Sequence, residues 1–179
     1  MKILYSKNQP LTKDKLFTYL SSDASSGVGT ITVDSIIGFA IDKVLLIGEW
    51  NNERSEIIKT HSSTAPSGST VTLLSNLTFA HSARTKVYIL DYDQIEISHA
   101  DTTGGAKSVL SSTTSIQADQ LETQYTDSTE SAGYYFVRWK NSFTPATYSD
   151  YSDPIPYVGF SRDQVGKVTG NATDRQGEH

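Results

Sequence analysis

Apolar and polar residues alternate with a period of two in several parts of this chain. The clearest example follows Gly133, where Tyr135, Val137 and Trp139 fall on one face and the residues between them on the other. Because successive side chains of a β-strand point to opposite faces, this pattern predicts a half-buried strand. Ten tyrosines and many serines and threonines also favour strands and turns over helices. We therefore predict a mainly β protein.

Similar short runs recur along the chain, separated by turn residues. Six of them within the first 90 residues predict a small β-barrel or β-sandwich module, residues 1–90. The runs that follow predict a second small β-sandwich over residues 91–160. The cluster at 16–20 fits either a strand or one helical turn. Residues 161–179 are polar and are predicted to form a short flexible tail, in which a helix-capping pattern at Ser161 fades by Gly166.

Composition restricts the classes of partner. The 179 residues carry a net charge of -5, so the chain has no general attraction for nucleic acid or an anionic membrane. The absence of cysteine excludes disulfides and thiolate metal sites. The N-terminus does not resemble a signal peptide, and the longest apolar stretch, 36–48, is too short to span a bilayer. We expect no direct contact with nucleic acid and no membrane association.

The candidate catalytic carboxylates Glu49, Glu53 and Glu56 lie on a charged hairpin predicted to turn at 51–52. Glycosidase chemistry needs two carboxylates facing a cleft, and the sequence predicts no cleft there. We interpret His81 as part of a structured turn in which its side chain bonds backbone, because it has no partner at ligand spacing. We therefore predict no enzyme activity and no cofactor.

Two acidic groups are candidate calcium ligands, but neither has the alternating spacing of an EF-hand loop. One group comprises Asp91, Asp93 and Glu96, and the other Asp150 and Asp153. We interpret all five as solvated turn carboxylates and predict no metal site.

The first unit resembles a module that recurs in virion proteins of tailed bacteriophages. The resemblance rests on a pattern of β-branched runs, a Gly-Phe pair, a Leu-Ile-Gly-Glu run and a Phe-Ala-His segment. In this sequence those positions are 30–33, Gly38-Phe39, 42–49, 56–58, Leu73-Leu74, 77–81, Ala83, Thr85 and Val87.

The second unit resembles a fibronectin type III or immunoglobulin-like domain. The resemblance rests on the strand 133–141 and on the Ser-x-x-Ser-x-Pro segment that begins at Ser149. It implies a β-sandwich in which one tyrosine forms a corner bond. The first strands of such a sandwich are not evident, so this unit either borrows residues 86–90 or is a reduced sandwich.

Together the two resemblances cover about residues 1–160. They imply a non-enzymatic structural protein of the virion, assembled in the host cytoplasm and located at the head–tail junction, in the collar or as a decoration. The implied partners are portal, capsid, neck or tail subunits, and further copies of the chain in a homo-oligomer. Because the chain ends soon after Ser161, where relatives continue into a helical segment, we expect a decoration, collar or tail-associated role rather than portal docking.

Aromatic residues outside the predicted core are the candidate interface residues. We assign this role to Tyr148, Tyr151, Tyr157 and Trp50, because exposed aromatic rings anchor protein interfaces or stack on sugars. The alternative function is therefore a carbohydrate- or receptor-binding module of a phage tail or fibre.

Overall fold

The computed structural model describes residues 2–127 and 132–157 and is mainly β, as predicted. Within these ranges there are twelve strands, one 3-10 helix, Gln9–Leu11, and no α-helix. The strands are β1 (Lys2–Lys7), β2 (Phe17–Tyr19), β3 (Thr30–Thr32), β4 (Val44–Ile47), β5 (Glu56–Lys59), β6 (Thr70–Thr72), β7 (Lys86–Leu90), β8 (Gln94–Ala100), β9 (Ser108–Ser115), β10 (Glu122–Asp127), β11 (Gly133–Lys140) and β12 (Ile155–Tyr157). The predicted tail, 161–179, lies outside the described residues.

Six strands form a small barrel. One sheet has the order β2-β7-β4-β5, and the other pairs β3 with β6. Single antiparallel bridges join the two sheets at both ends, Leu20 to Val33 and Thr60 to Leu73. The barrel interior is apolar and contains Leu20, Ala24, Ile31, Val33, Leu45, Ile47, Ile58, Val71, Leu73, Leu77 and Val87.

Strand β4 is buried on both faces because it lies between two cores. Leu45 and Ile47 point into the barrel, whereas Val44 and Leu46 point outward into a second apolar cluster. All four residues are fully buried, so the alternation expected of a half-exposed strand is replaced by a continuous apolar run.

The second unit is a β-sandwich of two antiparallel sheets. Its larger sheet has the order β12-β11-β8-β9, which is the G-F-C-C′ order of immunoglobulin-like domains. The opposing sheet consists of β1 paired with β10, which correspond to the neighbouring strands B and E. Tyr135 on β11 donates a 2.5 Å hydrogen bond to Asp127 at the end of β10, so a tyrosine spans the E–F corner. Its acceptor is a carboxylate, whereas the corner bond of immunoglobulin-like domains goes to backbone.

Strand β1 supplies the sandwich strand that the sequence did not reveal. Leu4 lies in the same apolar cluster as Ile97 and Val137, and Asn8 is fully buried against the loop that precedes β10. The strand formed by residues 86–90, a candidate for that position, instead pairs with β4 and β2 in the barrel. The barrel is thus inserted between strands B and C of the sandwich, because β1 pairs with residues about 120 positions away.

One apolar cluster joins the barrel to the sandwich. It contains Val44, Leu46 and Leu90 from the outer face of the barrel together with core residues of β8 and β11. Polar contacts bind the same junction. The amide of Asn51 donates to the Ala118 carbonyl at 3.0 Å, and Lys59 forms a 3.2 Å ion pair with Asp93.

Candidate interface

The structure brings two of the four candidate interface residues together. Tyr148 and Tyr151 lie on the outer face of the β12-β11-β8-β9 sheet, the face turned away from the core, and both stack on Arg138. Trp50 is half-buried and donates a 3.0 Å hydrogen bond from Nε1 to Thr12, and it packs against the shared core.

Tyr157, the fourth candidate, is half-buried on β12. Its ring meets the ring of Tyr135 edge-on at 6.1 Å. Tyr157 and Trp50 therefore contribute to the packing of this protein, and neither lies on the face that Tyr148 and Tyr151 share.

Two serines hold the 148–152 segment against β11. The amides of Ser149 and Ser152 donate to the carbonyls of Trp139 and Val137 at 3.0 and 2.7 Å. In return, each serine hydroxyl accepts a hydrogen bond from the amide of the same strand residue, at 2.9 and 3.1 Å. This reciprocal pairing gives the Ser-x-x-Ser spacing a physical role, since a shift by one residue would break all four bonds.

Arg138 is clamped between two aromatic rings. Its guanidinium carbon lies 3.9 Å from the ring centre of Tyr148 and 4.3 Å from that of Tyr151. Nε donates to Glu96 at 2.8 Å, and the Tyr151 hydroxyl donates to the same carboxylate oxygen at 3.1 Å. Glu96 is 3% exposed, so its charge is neutralised by a partner inside a polar network rather than solvated as predicted.

The stack continues toward β9. The ammonium of Lys107 lies 4.4 Å from the ring centre of Phe136 and 5.2 Å from that of Tyr151. Alternating cations and rings thus cover this face, and the row continues past Tyr148, which is 42% exposed. Arg138 lies 3.9 Å from the Tyr148 ring centre, and the ammonium of Lys140 lies 5.9 Å from it.

A second surface, at the barrel edge, was not singled out from the sequence. It combines Leu16 (60% exposed) and Ile37 (77%), and we call it the Leu16 patch. A β-carbon added to Gly38 would lie 2.9 Å from Leu16 Cδ1, which places the turn at 36–39 directly beside β2. In that turn the Phe39 amide donates to the Ile36 carbonyl at 3.0 Å, and Gly38 has a φ of +84°.

Ile37 consequently sits at the tip of the turn. Its neighbours Ile36 and Phe39 pack against the barrel core, but Ile37 does not. The only sequence signal for its exposure is its position before a glycine that can adopt a positive φ, which is typical of the second residue of a type II turn.

The hydrogen bonds of the Glu56–His81 pair indicate a structural role. His81 Nε2 lies 2.9 Å from Glu56, so the imidazole bonds a carboxylate, and the prediction of a bond to backbone is corrected. The amides of Thr78 and Phe79 donate to the same carboxylate at 2.9 and 3.1 Å. Burial raises the pKa of Glu56, but the hydrogen bonds from His81 and the two amides outweigh it and hold this pKa below 4.5.

Most of the other candidate carboxylates also have partners. Asp91 pairs with Lys15, and Asp93 pairs with Lys59 and accepts from the Ser142 hydroxyl at 2.5 Å. Glu49 forms a 2.6 Å ion pair with Lys86, which raises the pKa of that lysine. In the part of the chain that the structure describes, no three His, Asp or Glu side chains are placed to hold a metal ion.

Within the described ranges there is also no long apolar helix of the kind that crosses a bilayer. Comparisons of the chain with protein-family models, with curated proteins and with solved structures found no match.

Proposed function

We propose that this protein is a non-enzymatic structural component of a tailed-phage virion, at the head–tail junction, in the collar or as a decoration. It acts through protein–protein contacts with neighbouring virion subunits and with further copies of itself, after assembly in the host cytoplasm. The resemblance of the first unit to a virion module, followed by a second unit that resembles a fibronectin type III domain, motivates the proposal, and the Leu16 patch is the observation that carries it.

The Leu16 patch has no evident role in folding. Leu16 and Ile37 expose 60% and 77% of their surface, although each carries a large aliphatic side chain that gains from burial. Adjacent exposed apolar side chains of this kind are typical of protein interaction sites.

The connection between barrel and sandwich supports the same role. The two units share one core and the Lys59–Asp93 ion pair, so a contact made at the Leu16 patch of the barrel also holds the sandwich in place. The carboxylates Glu96, Asp93 and Glu56, the most buried acidic groups of those weighed for chemistry, are committed to structural bonds, which favours a non-enzymatic role.

The test replaces Ile37 with aspartate in the gene carried by the phage and quantifies the protein in purified particles. Because Ile37 is exposed at a turn tip, we expect an unchanged fold and at least a tenfold loss of incorporation. Val109→Asp is the matched control, since Val109 is 53% exposed on β9, away from the patch.

Electron cryo-microscopy of the wild-type particle gives the second readout. We expect density for this chain in a ring at one vertex or over the shell, with the Leu16 patch at a subunit contact. Absence of the protein from the particle would overturn the proposal. Equal incorporation of the Ile37→Asp and Val109→Asp variants would remove the patch as its basis.

The alternative is a carbohydrate- or receptor-binding module, and the exposure of the Tyr148 ring favours it. Arg138 holds this ring in place, as in a preformed platform for a sugar ring. Calorimetric titration with glycans of the host surface would detect binding, and a Tyr148→Ala variant should abolish it. If no glycan binds at millimolar concentration, the alternative is rejected.

A further inference from the structure

Strand β1 is paired on one side only. It pairs with β10 along one edge, and within residues 2–127 and 132–157 no backbone group bonds its other edge. The sheet that contains β1 therefore has two strands, whereas the sheet it faces has four. One side of the larger sheet is left without a strand opposite it.

The alternation of hydrogen bonds shows which groups of β1 are free. The Asn8 amide donates to the Leu121 carbonyl at 2.8 Å, directly after the last pair of the β1-β10 ladder, so Asn8 is bonded toward the β10 side. In an antiparallel pair, residues bonded to the partner strand alternate with residues whose amide and carbonyl point away from it. The backbone groups of Ile3, Tyr5 and Lys7 consequently point to the free side, where they can pair with a further strand.

A cleft of about 560 Å³ lies beside this free edge. One wall is the end of β1, Ser6 and Lys7, and the other is formed by residues 137–139 of β11 and by the chain from 149 to 155. No residue of β10 lines it, so the cleft lies on the side of β1 that faces away from its partner strand.

The cleft exposes part of the sandwich core. Trp139 and Ile155 line it and also pack against the core cluster, yet both remain half-exposed. A strand paired with the free edge would point every second side chain toward the opposing sheet, in which Trp139 lies. Apolar side chains at those positions would be removed from water together with these two residues, which favours an occupant with alternating apolar residues.

Lys7 gives the free edge a preference for an acidic partner. Its side chain is exposed, lines the cleft and forms no ion pair with a described residue. An acidic residue across from Lys7 on an added strand would form a favourable cross-strand pair. A second copy of β1 suits the edge poorly, because antiparallel pairing in full register would set Lys7 opposite Lys2 of that copy. Asp150 belongs to the opposite wall, so the acidic preference applies to the β1 side of the cleft.

We propose that the free edge of β1 is a docking site for an extended segment of another protein, with alternating apolar side chains and an acidic residue opposite Lys7. The segment adds to the β1-β10 sheet as a third strand and covers the cleft. Bonds to the free backbone groups supply affinity, whereas the contacts with Trp139 and Ile155 and the pair with Lys7 select the sequence. This site lies on the sandwich and is separate from the Leu16 patch on the barrel, and it does not depend on a role in a virion.

The first test titrates the full chain with the blocked peptide Glu-Val-Thr-Val-Thr-Val-Glu and follows tryptophan fluorescence. The chain has two tryptophans, so Trp50→Phe leaves Trp139, at the cleft, as the only reporter. Nε1 of Trp139 is buried and has no acceptor among the described residues, so no hydrogen bond fixes the indole. We expect a saturable blue shift of its emission, and calorimetric titration of the wild type should give the same affinity.

The control peptide carries prolines in place of its third and fourth residues. It keeps both glutamates but loses an amide whichever of its edges pairs with β1, so it should not bind. Absence of binding of the first peptide at millimolar concentration would overturn the proposal, and so would equal binding of the two peptides.

The second test compares Lys7→Ala with Lys7→Pro. Both remove the charge, but only Lys7→Pro removes an amide of the free edge, and that amide does not bond β10. Lys7→Ala should weaken peptide binding about threefold, and Lys7→Pro about fivefold more. Their urea midpoints should agree, which separates a lost contact from lost folding. Equal peptide affinities of the two variants would refute pairing at this edge.

Lys7→Glu tests the charge preference without changing the backbone. This variant should prefer the peptide Lys-Val-Thr-Val-Thr-Val-Lys, whereas the wild type prefers the peptide with glutamates. An unchanged preference would refute the acidic partner.

Sedimentation of the chain without peptide tests the second copy as an occupant. We expect the same profile for the wild type and Lys7→Pro. Self-association that Lys7→Pro abolishes and Lys7→Ala retains would assign the edge to a second copy and overturn the proposal.

Discussion

Asn8 holds β1 in the sandwich, and its replacement by alanine tests that assignment. The side chain is fully buried, and its Nδ2 donates to the carbonyls of Gln120 and Gln117 at 3.0 and 3.3 Å. Its Oδ1 accepts a 2.8 Å hydrogen bond from the hydroxyl of Thr123, which is 2% exposed. All three bonds reach the loop before β10 or β10 itself, and none reaches the barrel.

The magnitude follows from these contacts. The 3.0 Å bond to the Gln120 carbonyl contributes about 1 kcal/mol, and the buried Thr123 hydroxyl left without an acceptor costs about 1–3 kcal/mol. We therefore expect Asn8→Ala to lower the free energy of unfolding by about 3 kcal/mol. For a chain of this size that corresponds to a fall of about 6–12 °C in the unfolding midpoint.

Urea unfolding followed by circular dichroism measures the change, with Gln9→Ala as the control. Gln9 is the exposed neighbour of Asn8, so its replacement should alter the free energy by less than about 0.5 kcal/mol. The double variant with Thr123→Val should be more stable than the sum of the two single losses by about 1 kcal/mol, because both partners of one bond are removed together.

An Asn8→Ala loss below about 0.5 kcal/mol would refute the reasoning, as would additive losses in the double variant. The first outcome would mean that β1 is not anchored through this side chain. The second would mean that Asn8 and Thr123 do not share a bond.

Three further predictions concern the two cores, the buried carboxylate and the aromatic stack. Leu45→Ala and Leu46→Ala should each lower the free energy of unfolding by about 2–5 kcal/mol, because each fills a different core; a loss for only one, measured by urea unfolding, would contradict the two-core assignment. Glu56→Gln should cost about 1–3 kcal/mol at pH 7. The pKa of Glu56 is lowered on folding, so the stability that its charged form contributes is fully present above pH 4.5. The difference in unfolding free energy between the wild type and Glu56→Gln should therefore shrink as the pH falls through the pKa of Glu56 in the folded protein. A difference that grows in acid would contradict this sign. Tyr148→Ala should cost only about 0.5–1 kcal/mol in the same assay, because the ring is exposed, and a loss above 2 kcal/mol would place the ring in the core.

The alternation of apolar and polar residues over a few positions was enough to predict most of the strands. In β11, Tyr135 and Val137 are buried in the core cluster and Arg138 lies on the outer face, as the alternation predicted. The run from Val44 to Ile47 forms a buried strand, since four consecutive apolar residues leave no face for water. Such predictions succeed because strand periodicity depends only on which neighbouring side chains share a face.

The candidate interface was predictable only in part. Tyr148 and Tyr151 follow strand β11 closely in the chain, and both were singled out as exposed aromatic residues. Their shared cation, Arg138, could not be assigned to them, because its contacts depend on how the 149–152 segment folds back. The exposure of Ile37 was missed for a similar reason, since the neighbouring apolar residues Ile36 and Phe39 turn inward.

The sequence by itself determined that this protein is built from short antiparallel strands, because alternation and turn residues act over a few positions. The tertiary structure alone decided which strands became neighbours. β1 pairs with β10 rather than with the barrel that follows it, and Glu56 meets His81 across 25 positions. Backbone hydrogen bonds are the same for any two strands, so pairing over long separations is selected by what fills the shared core and satisfies buried polar groups. For β1, Leu4 fills the shared core and Asn8 satisfies the buried hydroxyl of Thr123.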